Sequence, residues 1–336
     1  MKKEFENARI LYVPIVSMRS YDTGRYNLDS DGNVNRAVSF FTENPLGKPK
    51  STMIILPANF EGKDFHEKFR KANVDTDFGP YPENAKATRE DDKILYERIV
   101  NLTNVFDFNY FIVESPALFK KLKAEQTPDM KIAFWNPVSK TLESRPTFMS
   151  DEALAELDEV SINADLLIVA TKSQAEYYKK TYKKDSFVFS NFILKKDVTY
   201  DKQEVEHIQE FFNKMFSGMD KYFFPFRLTD KGYRFQETVD CLVKTDKPFV
   251  IFFTDPNESG IINDEFKAKY DKVKHFFVKV PTDRKTIYSF MKAVPCIYNE
   301  SYDIHHASLE EIKYLHGWYY RLSDDNSAIN TSRRFS

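Results

Sequence analysis

Glycine is scarce here: 9 residues among 336. Neither GxGxxG nor GxxxxGK[ST] occurs. The glycine-rich dinucleotide fingerprint and the usual P-loop are thereby excluded, because both need glycines where backbone amides close on a phosphate. Cysteine is almost absent, with Cys241 and Cys296 alone and no CxxC or Cys/His ligand spacing. That pattern excludes a disulfide framework and a structural zinc site. The six histidines form no HExxH pair. No apolar run approaches the ~18 residues of a membrane helix. The basic start MKKEFENARILYVPIV is broken by Pro14 and carries no small-residue cleavage site, so a soluble, cytoplasmic chain is expected. A formal charge of −2, from 49 basic and 51 acidic residues, rules out a strongly basic polyanion binder but leaves room for a local basic groove.

What is present is aromatic volume, 31 Phe and 19 Tyr, enough to predict a sizeable core despite 42% hydrophobic content. Short apolar runs alternate with charged helical segments. ILYVPIV (10–16), STMIILPAN (51–59), FNYFIVES (108–115), MKIAFWNP (130–137), ADLLIVATKS (164–173) and SFVFSNFI (186–193) read as strands. Continuous apolar runs of this kind suit a parallel sheet covered on both faces. Segments 35–43, 91–106, 150–164 and 173–184 read as helices, and Ser150 is placed to cap the third. Residues 195–221 are highly charged, carry one amphipathic helix pattern and read as a link. A second alternation follows, with strands at 221–226, 247–255, 275–281 and 293–301 and helices at about 233–244, 282–292 and 308–316. Strand–helix alternation predicts an α/β protein of two doubly wound domains in tandem, 1–195 and 221–336, joined by 196–220, with a ligand cleft between them.

Two short motifs fail on inspection. Asp22-Thr23-Gly24 is a single aspartic-protease triplet, and that chemistry needs two carboxylates sharing a proton. DSDGN (29–33) starts like a calcium loop but has Val34 and Phe40 where Gly and Glu are required.

The stretch FPFRLTDKGYRFQE (224–237) is more informative. Arg227 and Lys231 fall between a strand and a helix, where free N–H groups and the dipole already favour an anion. A guanidinium fork and a mobile ammonium added there suit a diphosphate, and a solvated loop is the plain alternative. FRLTDKGYRFQETVDCLVK resembles the Arg-Leu…Lys-Gly segment that opens the donor domain of GT-B glycosyltransferases, enzymes of two Rossmann-like domains that use nucleotide sugars. VPCIYNESYDIHHASLEEIKYLHG is similar to that family's acidic donor segment, and LDSDGNVNRAVSFF to its first glycine turn and helix.

The resemblance implies that Arg227 and Lys231 bind the donor diphosphate. It implies that Glu300 or Asp303 holds the donor sugar and that Glu310 or Glu311 binds the ribose. The family's Glu-x7-Glu spacing is met by Asp303 and Glu311 and not by Glu300 and Glu310, so the assignment among the four stays open. The acceptor would meet the loop after the first strand, across Arg25 and Arg36, with Asp22 or Asp31 as the general base of an inverting enzyme. No metal or cofactor is expected beyond the co-substrate, a UDP-sugar. The Lys-, Phe- and Tyr-rich, glycine-poor style resembles enzymes with which large bacteriophages glycosylate hydroxymethylated pyrimidines, which makes DNA one expected acceptor. A saccharide or lipid-linked hydroxyl is another, and a non-catalytic two-domain binding protein is the alternative of a different class.

Overall fold

The computed structural model describes residues 4–16, 23–29, 31–79, 89–136, 138, 140, 149–189, 198–225, 228, 235–255, 260–281, 283–299, 315, 319–322 and 329–330. The chain divides into two compact units, Met1–Leu194 and Lys195–Ser336.

The first unit runs β1 (Arg9–Val13), β2 (Tyr26–Asn27), α1 (Gly32–Glu43), β3 (Ser51–Pro57), β4 (Phe60–Glu61), α2 (Phe65–Lys71), β5 (Asp75–Gly79) and α3 (Arg89–Phe106). It continues with β6 (Tyr110–Val113), α4 (Pro116–Ala124), β7 (Lys131–Trp135), α5 (Asp151–Asn163), β8 (Leu166–Val169), α6 (Lys172–Tyr182) and β9 (Phe187–Val188). Seven strands form one sheet in the order β5-β3-β1-β6-β7-β8-β9, with every pair parallel.

Strand side chains alternate between two cores, as the period of two requires. Ile10, Tyr12, Ile54, Ile112 and Trp135 pack with Phe40 and Phe41 of α1. Leu11, Val13, Ile55, Phe111, Val113 and Phe134 face the other layer, with Leu118 of α4 and Leu157 of α5. Each fully buried large side chain contributes roughly 1.5–3 kcal/mol, so both layers hold the sheet. Short polar side chains set the helix starts. Asp31 accepts from the Asn33 and Val34 amides at α1, and Ser150 accepts from Ala153 N at α5.

The second unit contains α7 (Lys202–Met215), β10 (Asp220–Phe224), α8 (Phe235–Val243), β11 (Phe249–Phe253), α9 (Asp264–Ala268), β12 (His275–Lys279), α10 (Arg284–Ala293), β13 (Cys296–Asn299), β14 (Tyr319–Leu322) and β15 (Ile329–Asn330). Its strand order is β12-β11-β10-β13-β14-β15, parallel throughout except for the last pair. The segment 196–220, expected as a link, carries α7 and packs inside this unit. The Phe212 ring lies 4.2 Å from Phe252 of β11 and 5.7 Å from Phe290 of α10. Glu204 accepts from the Ser289 and Thr286 hydroxyls at 2.6 and 3.1 Å.

Candidate functional site

In an open parallel sheet, ligands gather beyond the carboxyl ends of the strands, where connections depart in opposite directions. In the first unit that point lies between β1 and β6. The chain after β1 goes to α1 and β3 on one side, while β6 leads to α4 and β7 on the other.

A buried charge sits at this junction. Glu114, the residue after β6, has no exposed surface. Its carboxylate accepts from the Tyr12 hydroxyl at 2.5 Å and from the Arg36 guanidinium. Arg36 also lies over the Trp135 ring, 4.3 Å from its centroid. Burial pushes the Glu114 carboxyl up from its usual range, with Arg36 opposing the shift. Burial, then Glu114, pushes the Tyr12 hydroxyl up as well.

The second Glu114 oxygen faces outward and accepts from the amide of Ile15 at 2.8 Å. The Ile15 carbonyl accepts in turn from Asn33 Nδ2 at 2.6 Å. Both backbone groups of Ile15 are therefore held, while 39% of its surface stays exposed.

The far end of the same loop is fastened by a second carboxylate. Asp29 accepts from three successive amides at the start of α2, Lys63 at 2.7 Å, Asp64 at 3.1 Å and Phe65 at 2.8 Å. Those amides have no partner inside the helix, which is why an anion is stable there. Between the two fastenings β2 pairs with β4, and Thr23 Oγ1 donates to Glu61 at 2.9 Å. Arg25 sits on this loop, exposed.

A second polar cluster lies among the helices. Asp158 of α5 accepts from the hydroxyls of Tyr177, Tyr178 and Tyr182 at 2.8, 3.1 and 3.0 Å and from Lys140 Nζ at 2.5 Å. Burial first, and Asp158 with it, pushes the Tyr177 hydroxyl up to about 12. Beside the cluster is an open hollow of about 510 Å³ lined by Leu154, Ala155, Ile162 and Tyr182. Among the described residues no three His, Cys, Asp or Glu side chains converge as for a metal ion. No helix of the described residues is long and apolar enough to cross a membrane.

In the second unit the corresponding junction lies between β10 and β13, which pair through Phe223 and Cys296. Both strands end there, at Phe224 and Asn299. Arg227 and Lys231 come next in sequence after β10, and Glu300, Asp303, Glu310 and Glu311 after β13. These six, and Asp22, lie outside the described residues, as does the helix expected at 308–316 apart from Leu315.

Two expected acceptor-side residues have other tasks. Arg36 is 2% exposed and gives its charge to Glu114, so it presents no cation to an acceptor. Asp31 is 1% exposed and caps α1 through the Asn33 and Val34 amides. The sequence reading gives Glu114 no role and takes Asp29 only as the start of a failed calcium loop. Their partners lie tens of residues away, and the sole local signal was a glutamate ending the apolar run FIVES.

No protein-family profile and no curated protein matches the sequence. Solved structures do. The fold is similar to HepE from Anabaena in complex with UDP-glucose, at TM-score 0.60 and 9% identity over 93% of this chain and 80% of that one. It is similar to sucrose-phosphate synthase from Thermosynechococcus elongatus, at TM-score 0.61 and 12% identity over 93% and 81%. A glycosyltransferase from Rickettsia africae matches at TM-score 0.55 and 13% identity, over 94% and 79%. At these identities the likeness defines the fold, which is α/β with two Rossmann-like units of the GT-B class.

Proposed function

We propose that the protein is a glycosyltransferase that moves a sugar from a UDP-sugar to a hydroxyl acceptor without a metal. The observation that carries this reading is the likeness over 93% of the chain to a structure holding UDP-glucose. It is joined by two cations, Arg227 and Lys231, in the crossover between β10 and α8 of the second unit.

In the proposed reaction the bond between the anomeric carbon and the diphosphate oxygen breaks as the acceptor oxygen bonds to that carbon. Negative charge develops on the departing diphosphate, and fixed cations at a helix start stabilise it where it forms. Arg227 and Lys231 take that role. Glu310 or Glu311 orients the ribose, and Glu300 or Asp303 holds the sugar hydroxyls. The acceptor proton passes to Asp22 if the enzyme inverts, and to the departing phosphate oxygen if it retains. Arg25, on the fastened loop of the first unit, faces the acceptor.

DNA bearing hydroxymethylated pyrimidines is the acceptor favoured by the sequence style, and none of the structures named above is described as acting on DNA. The test has two stages. Thermal shift with UDP-, GDP- and ADP-sugars and with ATP comes first, and absence of a shift with every sugar nucleotide would sink the reading. UDP release and mass spectrometry follow, with a hydroxymethylcytosine duplex, maltose and a no-acceptor control. Release that is equal with and without acceptor identifies hydrolysis in place of transfer.

A further inference from the structure

A charge pair sealed inside a core is an expensive way to hold a fold, since apolar residues of similar volume often do as well or better. Arg36 and Glu114 are 2% and 0% exposed, so the bonds they make beyond each other give the clue to what they are for. Glu114 reaches outward to one group, the amide of Ile15, two residues beyond the end of β1. Asn33 of α1 grips the carbonyl of the same residue from the other side. The chain is thus fixed where it leaves β1, at the junction where an open α/β sheet takes its ligand.

We propose that Glu114, paired with Arg36, is a positioning residue for substrate. It locks Ile15 and the start of the loop after β1, so that the exposed Ile15 side chain offers a preorganised apolar contact to the acceptor. The inference rests on the glycosyltransferase reading for the identity of that ligand and on the first unit's geometry for the lock.

Three features support it. The Ile15 side chain is exposed although both of its backbone groups are bonded. Further along the same connection Asp29 accepts from three amides at the start of α2, so the described residues on either side of 17–22 are both held. Tyr12 bonds to the inner oxygen of Glu114, which leaves the other oxygen aimed at the loop.

Replacing both charges removes the lock without burying a lone ion. In the double variant Arg36→Met, Glu114→Leu, made in a Tyr12→Phe background because the buried Tyr12 hydroxyl would otherwise lose its partner, the melting temperature should stay within about 3 °C of that background. Exchange of the Ile15 amide should accelerate about tenfold while that of Tyr110–Val113 in β6 is unchanged. With UDP-glucose as donor, and whichever of the hydroxymethylcytosine duplex or maltose turns over, acceptor KM should rise about tenfold, with kcat and UDP-glucose affinity much less affected. A purely structural pair would move the melting temperature and leave the KM-to-kcat balance alone.

Should the double variant not fold, Asn33→Ala cuts only the solvent-side bond and reads the same quantities in the same direction. Unchanged Ile15 exchange overturns the proposal, as does a loosened loop with unchanged acceptor KM. Wild-type protein that is shifted by no sugar nucleotide sinks the glycosyltransferase reading instead, and the exchange result still decides whether Glu114 locks the loop.

Discussion

Gly62 offers a quantitative test of how the loop after β1 is fastened. Its φ is +126°, a region that side-chain-bearing residues rarely enter. A Cβ built there would lie 2.9 Å from Cγ and Oδ2 of Asp29 and 3.1 Å from Oδ1. The Asp29 carboxylate cannot simply swing away, because it is accepting three amides of the α2 start. Gly62→Ala therefore combines two costs. Backbone strain in a sparsely populated region is worth about 1–3 kcal/mol, and loss of an N-terminal carboxylate contact about 1–2 kcal/mol. Together they predict about 2–5 kcal/mol, a large share of a typical total of roughly 5–15 kcal/mol.

The assay is urea unfolding followed by the buried Trp135 in a Trp318→Phe background, so that the signal reports the first unit. A double-mutant cycle then separates the costs. With Asp29→Ala already present, the added methyl no longer meets that carboxylate, and Gly62→Ala should cost little beyond its strain, leaving a coupling of about 1–2 kcal/mol. A Gly62→Ala protein within about 0.5 kcal/mol of wild type would refute the reasoning, being inside the range of ordinary surface changes. Additive single costs would refute the claim that Asp29 is what the methyl strikes.

Arg227→Ala should weaken UDP-glucose binding by calorimetry and lower turnover by about 2 kcal/mol or more, as loss of one anion-stabilising contact does; equal activity would return that segment to a solvated loop. Tyr178→Phe removes the hydroxyl that donates to Asp158 and accepts from Asn136 at 2.8 Å. Its cost in urea should be about 1–3 kcal/mol, since buried partners are left short. Asp201 caps α7, and the Glu204 amide, then Lys285 and the Gln203 amide, hold its carboxyl below the ordinary 3.8. That stabilisation is present above the ordinary value and lost as pH falls through the lower folded one. Asp201→Asn should be less stable than wild type at pH 7, and the gap should close as acid melts pass below the ordinary aspartate value; a gap that widens in acid would reverse the assignment.

Much of the architecture was legible because parallel strands buried on both faces announce themselves: YFIV, KIAFW, LLIV and FVIFF each emerge as strands. β5 was missed because DTDFG is polar, as suits the edge strand it forms. The short helices α2 and α4 fell inside stretches too charged to stand out. The amphipathic pattern of α7 is legible in the segment read as a link, but that its apolar face, Val205 and Ile208 with Phe212, packs on the second unit is not. At the candidate site, periodicity indicated where strands end and helices start, hence which segments carry Arg227, Glu300 and Arg25. It could not show that Arg36 turns inward. A cation on a helix reads as surface until its partner is known, and that partner stands 78 residues further along the chain.

The pairing of β1 has a consequence for how the chain first folds. It is the first of this sheet's strands in sequence and an interior one, joining residue 10 to residue 52 on one side and to residue 110 on the other. Contacts of such long sequence separation form slowly, because the loop must close before they reward it. Until β6 has been synthesised, the run ILYV keeps one hydrogen-bonding edge open and the outward oxygen that holds Ile15 does not yet exist. Nascent chains cut short before Tyr110 should thus be prone to aggregation and dependent on holdase chaperones.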